Sequence, residues 1–282
     1  MNILTVDLED WYCTRTMRRR ICRSEWDHCS SRIDVGTERL LELLDRHNVR
    51  ATFFILGYIA EREPEIVRRI AACGHEIATH GYGHRYLSEV TPQEFRDDLD
   101  RSIDAIGRAV GIRPVGYRAP GFSILPPIAD WVLGILAERG FLYDSSIFPL
   151  TIHPEYGFPC DADRPFRLAN GLIEIPISRA PFAGFDLPAT GGAYFRQTPT
   201  ALSRLLMRRC HQAGRPVVFY VHPWELDPGA PSAGLPLLSR LRQCRGTERM
   251  ARRLDHLLEH LPFTAIDDWL SKSGELQVQS CT

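Results

Sequence analysis

The chain has 282 residues, 44% apolar and 24% charged, with 34 Lys and Arg against 35 Asp and Glu and a formal net charge of -1. That balance is globular and excludes disordered, collagen-like and coiled-coil classes. A net charge this close to zero gives no electrostatic case for nucleic acid as the main partner, and no apolar run is long enough to span a bilayer.

Short apolar runs alternate with amphipathic ones. Ile3–Asp7 reads as a strand, Glu38–His47 as a helix from its leucine spacing, and Ala51–Leu56, β-branched and aromatic, as a buried strand. Pro64–Ala72 reads as a helix and Glu76–Thr79 as a strand. Thr91, Pro92 and Glu94 supply an N-cap, a first-turn proline and the acid of a capping box, opening a helix that stops at Gly111. Val115–Arg118 is strand-like, Pro127–Arg139 is a helix with Gly140 just past its end, and Phe141–Tyr143 is the next strand. A Pro- and Gly-rich stretch, Ser145–Pro165, follows, then a strand at Leu172–Ile177 and a second irregular stretch to Arg196. Thr198–Gln212 and Glu248–His260 read as helices, and Val217–Val221 and Phe263–Ile266 as strands, with a proline-rich loop from Pro223 to Pro236.

Repeated βα units with right-handed crossovers predict a parallel sheet. Seven or eight such units favour an α/β fold closed, or nearly closed, as a distorted (β/α) barrel of about seven parallel strands, with irregular insertions in the second half. An open doubly wound sheet is the alternative. For dinucleotide binding it needs a glycine loop after an early strand, where this chain has Asp7-Leu8-Glu9-Asp10.

The opening MNILTVDLED has none of the marks of a secretory signal, so a cytoplasmic protein is expected, acting in solution or at the inner membrane face. The eight cysteines (Cys13, Cys22, Cys29, Cys73, Cys160, Cys210, Cys244 and Cys281) contain no C-x-x-C pair and read as mostly free thiols. The spacing of Cys13, Cys22 and Cys29 fits no zinc pattern.

The ionisable residues just past each strand carry the chemistry. Asp7, Glu9 and Asp10 follow the first strand, His80 and His84 the third, Arg118 the fourth, Asp144 the fifth, and His222 the penultimate one. In a parallel barrel the C-terminal strand ends share one face, so these groups converge. Each has a bland explanation on its own; their shared position is the argument. In His80-Gly81-Tyr82-Gly83-His84 the imidazoles are four apart and can meet one metal, and the glycines favour a loop over a helix. Two histidines and one carboxylate form an open coordination set of catalytic type. In an extended segment Asp7 and Glu9 share a face, so one can ligate while the other serves as general base. Arg118 can fork onto a carboxylate, and His222 can act as general acid.

Together these residues resemble the NodB-homology polysaccharide deacetylases, carbohydrate esterase family 4. The match runs in order: acidic motif, H-x-x-x-H, Arg-x-Pro, a late aspartate, and a histidine closing a strand. Val6–Tyr12, Gly116–Ser123, Tyr143–Pro149, Gly191–Arg196 and Phe219–Pro228 carry a finer likeness to the deacetylases of exosortase (PEP-CTERM) exopolysaccharide gene clusters. The resemblance implies a single deacetylase-like domain over residues 1–282, with a subfamily-specific C-terminal portion from about 145. It implies hydrolysis of the N-acetyl amide of an amino sugar in a polysaccharide or oligosaccharide, aided by a divalent metal ion. Zn2+ is the default, and cobalt, nickel or iron also suit the ligand set.

By motif, Asp7 is the base, His80 and His84 are metal ligands, Arg118 tethers the base, and His222 is the acid. The backbone amide near Gly121 or Phe122 contacts the oxyanion. Leu8 stands where the family has a second aspartate, so Glu9 or Asp10 must be the third ligand, and strand alternation favours Glu9. The expected substrate-binding residues are Pro120, Gly121, Phe122, Asp144 and Trp224. Asp144 either orients His222 or shapes the pocket, while Tyr82, Phe122, Tyr194 and Trp224 can stack on sugar rings or pack in the core. Two other readings are an allantoinase-like cyclic amide hydrolase and a non-catalytic carbohydrate-binding homologue. Oligomeric state is not legible.

Overall fold

In a computed structural model the described residues are 1–149, 157–159, 162–182, 185–188, 190–232 and 234–279. The first strand, β1 (Asn2–Leu8), is buried along its whole length, because strands flank it and helices cover the sheet. Three short 3-10 turns lead to α1 (Ile33–Arg46). Then come β2 (Thr52–Ile55), α2 (Gly57–Arg62), α3 (Pro64–Ala72), β3 (Glu76–Thr79), α4 (Pro92–Val110), β4 (Gly116–Tyr117), α5 (Pro126–Glu138) and β5 (Tyr143–Asp144). The second half holds β6 (Phe166–Arg167), β7 (Ile173–Glu174), the hairpin of β8 (Arg179–Phe182) and β9 (Phe185–Pro188), α6 (Gly192–Gln197), α7 (Thr200–Gln212) and β10 (Val218–Val221). After a 3-10 turn at Pro223–Leu226 it ends with α8 (Leu237–Cys244), α9 (Thr247–His260), β11 (Phe263–Thr264) and α10 (Ile266–Lys272).

The strands lie in the order β10-β1-β2-β3-β4-β5-β7-β6, with β11 beside the start of β1. Every pairing from β10 to β7 is parallel, so seven parallel strands form the barrel wall; β6 pairs antiparallel to β7. Among the described residues no ladder joins β7 to β10. A side chain bridges the seam instead: Val218 N–H donates to Ser178 Oγ at 2.7 Å, and Ser178 Oγ–H donates to Pro216 O at 3.0 Å. There a hydroxyl stands in for a backbone rung.

Local signals account for most elements. Thr91 accepts from Glu94 N–H while Glu94 accepts from Thr91 N–H, and Gly111 ends α4 in the left-handed region at φ 70°. α1 starts at Ile33, ahead of the leucine repeat, because Ile33 and Thr37 are themselves buried. Phe263–Ile266 splits into β11 and α10, as Ile266 N–H turns to Thr52 Oγ1. α2, α6 and α8 are too short to show a full helical period and lie among glycines or prolines. Cys13, Cys22, Cys29, Cys73, Cys210 and Cys244 are free thiols; Cys160 and Cys281 lie outside the described residues. No helix among the described residues is long and apolar enough to cross a membrane.

Candidate active site

Register decides which side chains meet. Val6 pairs with Val221, so Asp7 and His222 emerge side by side. Ile55 pairs with Thr79 and Thr79 with Tyr117, which sets His80 beside Arg118 at the same ends of the strands. β1 stops at Leu8, and Glu9 N–H donates to Asp7 O at 2.9 Å. Glu9 therefore reaches the site from a tight three-residue turn rather than from extended strand.

Glu9 Oε1 lies 3.1 Å from His80 Nε2 and 3.0 Å from His84 Nε2. All three side chains are buried. His80 Nδ1 is 2.8 Å from Arg118 O, and a carbonyl only accepts, so the proton sits on Nδ1 and the Nε2 lone pair faces Glu9. Burial alone would raise the Glu9 carboxyl; the charge of His84, the closeness of both imidazoles and the charge of His222 together outweigh it and hold the carboxyl well below its ordinary range. The donor set suits a divalent cation. Without one, Glu9 Oε1 faces the lone pair of His80 unless that ring carries a second proton in the interior; a cation among the three atoms removes the conflict. Asp10 is engaged elsewhere, its carboxylate accepting from Trp11 N–H at 2.7 Å and Arg32 N–H at 2.9 Å.

The histidine segment is a loop, as its glycines predict. Gly81 has φ 72° and His84 φ 52°, a region that side chains other than glycine's rarely adopt. The loop is clamped from outside. Asp98 on α4 accepts from Tyr82 N–H at 2.7 Å and Gly83 N–H at 3.1 Å, while Ser102 Oγ–H and Gly57 N–H both donate to Gly81 O. The strain at His84 is held by these contacts.

Asp7 Oδ1 accepts from Arg118 Nη1 at 2.8 Å, and Asp7 Oδ2 lies 3.8 Å from His222 Nε2. Arg118 is fully buried. It does not fork onto the carboxylate. Its other donors go to Thr5 Oγ1, Ser145 O and Ser145 Oγ, and its guanidinium lies 4.2 Å over the Phe54 ring. One oxygen of Asp7 is thereby pinned, leaving the other toward His222.

His222 is oriented by Glu225. Glu225 Oε2 accepts from His222 N–H at 3.1 Å and lies 3.0 Å from its Nδ1, and Glu225 Oε1 accepts from buried Arg196 at 2.8 Å. Burial works to lower the His222 pKa. The hydrogen bond and charge of Glu225, followed by the charges of Glu9 and Asp7, prevail and raise it to about 9. The Trp224 ring lies 5.5 Å from that of His222 and is nearly buried. It presents a wall to the imidazole and little free face to a ligand.

Asp144 does not reach His222. It is fully buried, accepts from Ser146 Oγ–H at 2.5 Å, and through Ser146 braces Ala119 N–H. The carboxylate beside His222 is Glu225, and the burial of Asp144 sets it behind the site wall rather than on it. Pro120 opens a short turn ending at Phe122 and is itself buried. Phe122 packs against Phe148 and Tyr220, and its N–H donates to Ala119 O. No acceptor for the Gly121 N–H lies among the described residues, and Gly121 (φ 61°) has the Tyr86 ring 2.8 Å from where a Cβ would stand. Tyr82 turns away, donating to Glu61 beneath Arg101; Tyr194 is half-buried.

Sequence reasoning missed Glu225, Asp98, Ser102 and Ser145. Glu225 had a signal: it is the third-residue acid of a capping box whose first residue is His222.

The polysaccharide deacetylase family profile matches residues 16–132, and a profile described as a domain of unknown function (DUF3473) matches residues 145–271. A peptidoglycan deacetylase-like protein of Gibberella zeae is 38% identical over 132 residues, 45% of this chain and 38% of its own length. A peptidoglycan-N-acetylglucosamine deacetylase of Bacillus cereus is 40% identical over 106 residues, 38% of this chain and 37% of its own. The chain thus spans under half the length of these curated relatives. Among solved structures, one from Mycobacterium smegmatis described as a polysaccharide deacetylase superposes with a TM-score of 0.65 at 24% identity, covering 99% of this chain and 93% of that one. Puue allantoinase superposes at 0.61 with 16% identity, covering 96% and 90%. At these identities the structural likeness is one of fold. Over residues 16–132 the chain matches the polysaccharide deacetylase (NodB, carbohydrate esterase 4) family profile, on a barrel fold shared along nearly all its length.

Proposed function

We propose that this protein is a divalent-metal-dependent deacetylase that hydrolyses the N-acetyl amide of an amino-sugar unit in a polysaccharide or its precursor. The observation that carries the reading is the buried Glu9–His80–His84 cluster, with the Asp7 carboxylate and the His222 imidazole converging at the same strand ends. The names of the curated relatives, peptidoglycan deacetylases, support an amino-sugar substrate. The five segments of the exosortase-type likeness favour an exopolysaccharide as the polymer.

When bound by Glu9, His80 and His84, a divalent ion such as Zn2+ supplies Lewis acidity that polarises the amide carbonyl and makes the attacking water more acidic. Asp7 takes the proton of that water on Oδ2, the oxygen Arg118 leaves unpinned. The Gly121 N–H is the amide on its turn with a hydrogen to offer the developing oxyanion. His222, protonated at neutral pH, gives its proton to the departing amine, which leaves poorly otherwise. Glu225 and Arg196 keep that imidazole charged and aimed.

The reading is tested by acetate release from chitooligosaccharides and peptidoglycan fragments, assayed after chelation and after reloading with Zn2+ or Co2+. Acetate that appears only in the reloaded protein supports it. Turnover of a ring amide with no acetate overturns the substrate class, and inactivity on all of these leaves a binding protein. Because the active form of His222 is the protonated one, activity should fall as pH rises through its pKa. Removing the Glu225 charge removes the largest influence that raises it. Glu225→Gln should therefore move the basic limb of kcat/KM to lower pH, by about one unit, when both proteins carry the same ion. An unmoved limb would show that another group titrates there.

A further inference from the structure

We propose that α8 and the adjoining start of α9 form a docking surface for an anionic lipid bilayer. Leu237, Leu238 and Leu241 project from one short helix with 72%, 81% and 50% of their surface exposed. Around them the sequence turns basic: there is no Asp or Glu between Asp227 and Glu248. Arg240, Arg245, Arg249 and Arg252 are exposed, and none has a carboxylate partner among the described residues. Other surface arginines divide: Arg18 pairs with Glu89, Arg50 with Asp267, Arg85 with Glu94 and Arg139 with Asp100, while Arg20, Arg113 and Arg208 are exposed with no carboxylate partner among the described residues; what sets this patch apart is four such arginines beside three exposed leucines. Net charge on the chain is close to zero, so this excess is local.

Protruding leucines ringed by unmatched arginines form the pattern of a helix lying in a lipid interface, with apolar side chains below the headgroups and guanidinium groups among the phosphates. A second copy of this chain fits poorly, since a two-fold pairing of the patch sets arginine against arginine. Beside α8 a cleft of about 850 Å3, lined by Arg240, Arg245, Arg249 and Leu241 together with one carboxylate, Glu248, has room for headgroups and keeps a net positive charge. α8 leaves the loop that follows β10, so it lies at the end of the barrel that carries the site. Arg245 O accepts from Arg196, which in turn holds Glu225 behind His222. Docking here would bring the site to membrane-borne glycans. The surface rests on its own observations and does not depend on the deacetylase reading.

The test is co-sedimentation of the full chain with phosphatidylcholine vesicles, with and without about one third phosphatidylglycerol. Binding is expected only to the anionic vesicles, weakening at least about tenfold between 0.1 and 0.5 M salt. Leu237→Ser with Leu238→Ser and Leu241→Ser should cut partition about tenfold or more, and Arg240→Glu with Arg245→Glu and Arg249→Glu should abolish it. Both variants should keep the thermal transition of the parent. Equal binding to both vesicle types, no binding to either, or binding untouched by both variants overturns the proposal. So does a leucine variant that changes the oligomeric state while the parent ignores vesicles. None of these readouts uses turnover, so the docking and deacetylase readings can fail separately.

Discussion

Asp7→Asn should lower kcat for acetate release by about 10²–10⁴-fold while ion content stays at the parent level. The amide keeps the shape of the carboxylate and can still accept from Arg118 through its Oδ1, so the pocket stays built. It cannot take a proton from water. Asp7 touches neither imidazole of the Glu9 cluster among the described hydrogen bonds, so metal analysis by mass spectrometry should not register the change. Stability does register it. Removing one partner from a buried ion pair typically costs about 3–5 kcal/mol. Arg118 also donates to Thr5 and Ser145 and lies over Phe54, which disperses its charge and places the expected loss at the lower end, about 3 kcal/mol in urea unfolding. A variant within tenfold of the parent, with equal ion content, removes Asp7 from the chemistry and leaves Arg118 a purely structural arginine.

The sequence makes these groups visible for a simple reason. In a parallel barrel a catalytic residue follows a short buried run, and such runs are readable one strand at a time. Asp7, His80, Arg118 and His222 each stand at or just past such a run, and the structure gathers them. What a linear reading cannot supply is register and the second layer of contacts. Ser145 serves Arg118 because the chain leaving β5 passes its guanidinium. Asp98 holds the histidine loop because α4 crosses behind it. Asp144 stands at its strand end as Asp7 does, yet its side chain is spent on Ser146. Position at a strand end is thus not sufficient for the site, and Glu9 and His84, which reach it from a turn and a loop, show that it is not required either.

The second half of the chain is part of the same machine. Tyr143–Pro149 brings Ser145 to Arg118, Gly191–Arg196 brings Arg196 to Glu225, and Phe219–Pro228 carries His222 and Glu225. The stretch matched by the profile of unknown function therefore supplies the proposed acid and the contacts that aim it, while the earlier stretch supplies both histidines. Neither half holds the full set.

The largest loss should come from the proposed ion ligands. Glu9→Gln and His84→Ala should each take ion affinity down by at least about 100-fold, and activity to background in protein dialysed free of excess metal. Glu9→Gln removes the single negative charge facing both imidazoles while keeping nearly the same volume, so a folding failure is not expected to mimic the effect. It also relieves burial of a carboxylate that depends on those imidazoles, and the ion-free variant should unfold no earlier than the ion-free parent. His84→Ala works from the other side, opening a space at the strained end of the loop while Glu9 and His80 remain. Excess Zn2+ should restore part of the activity of His84→Ala, because an exogenous imidazole or water can complete the coordination. It should restore little to Glu9→Gln, whose two neutral imidazoles offer a dication no compensating charge. If both variants bind one ion as tightly as the parent, the cation sits elsewhere; if Glu9→Gln loses it and His84→Ala keeps it, the overlapping Asp7–Glu9–His222 group is the place to look.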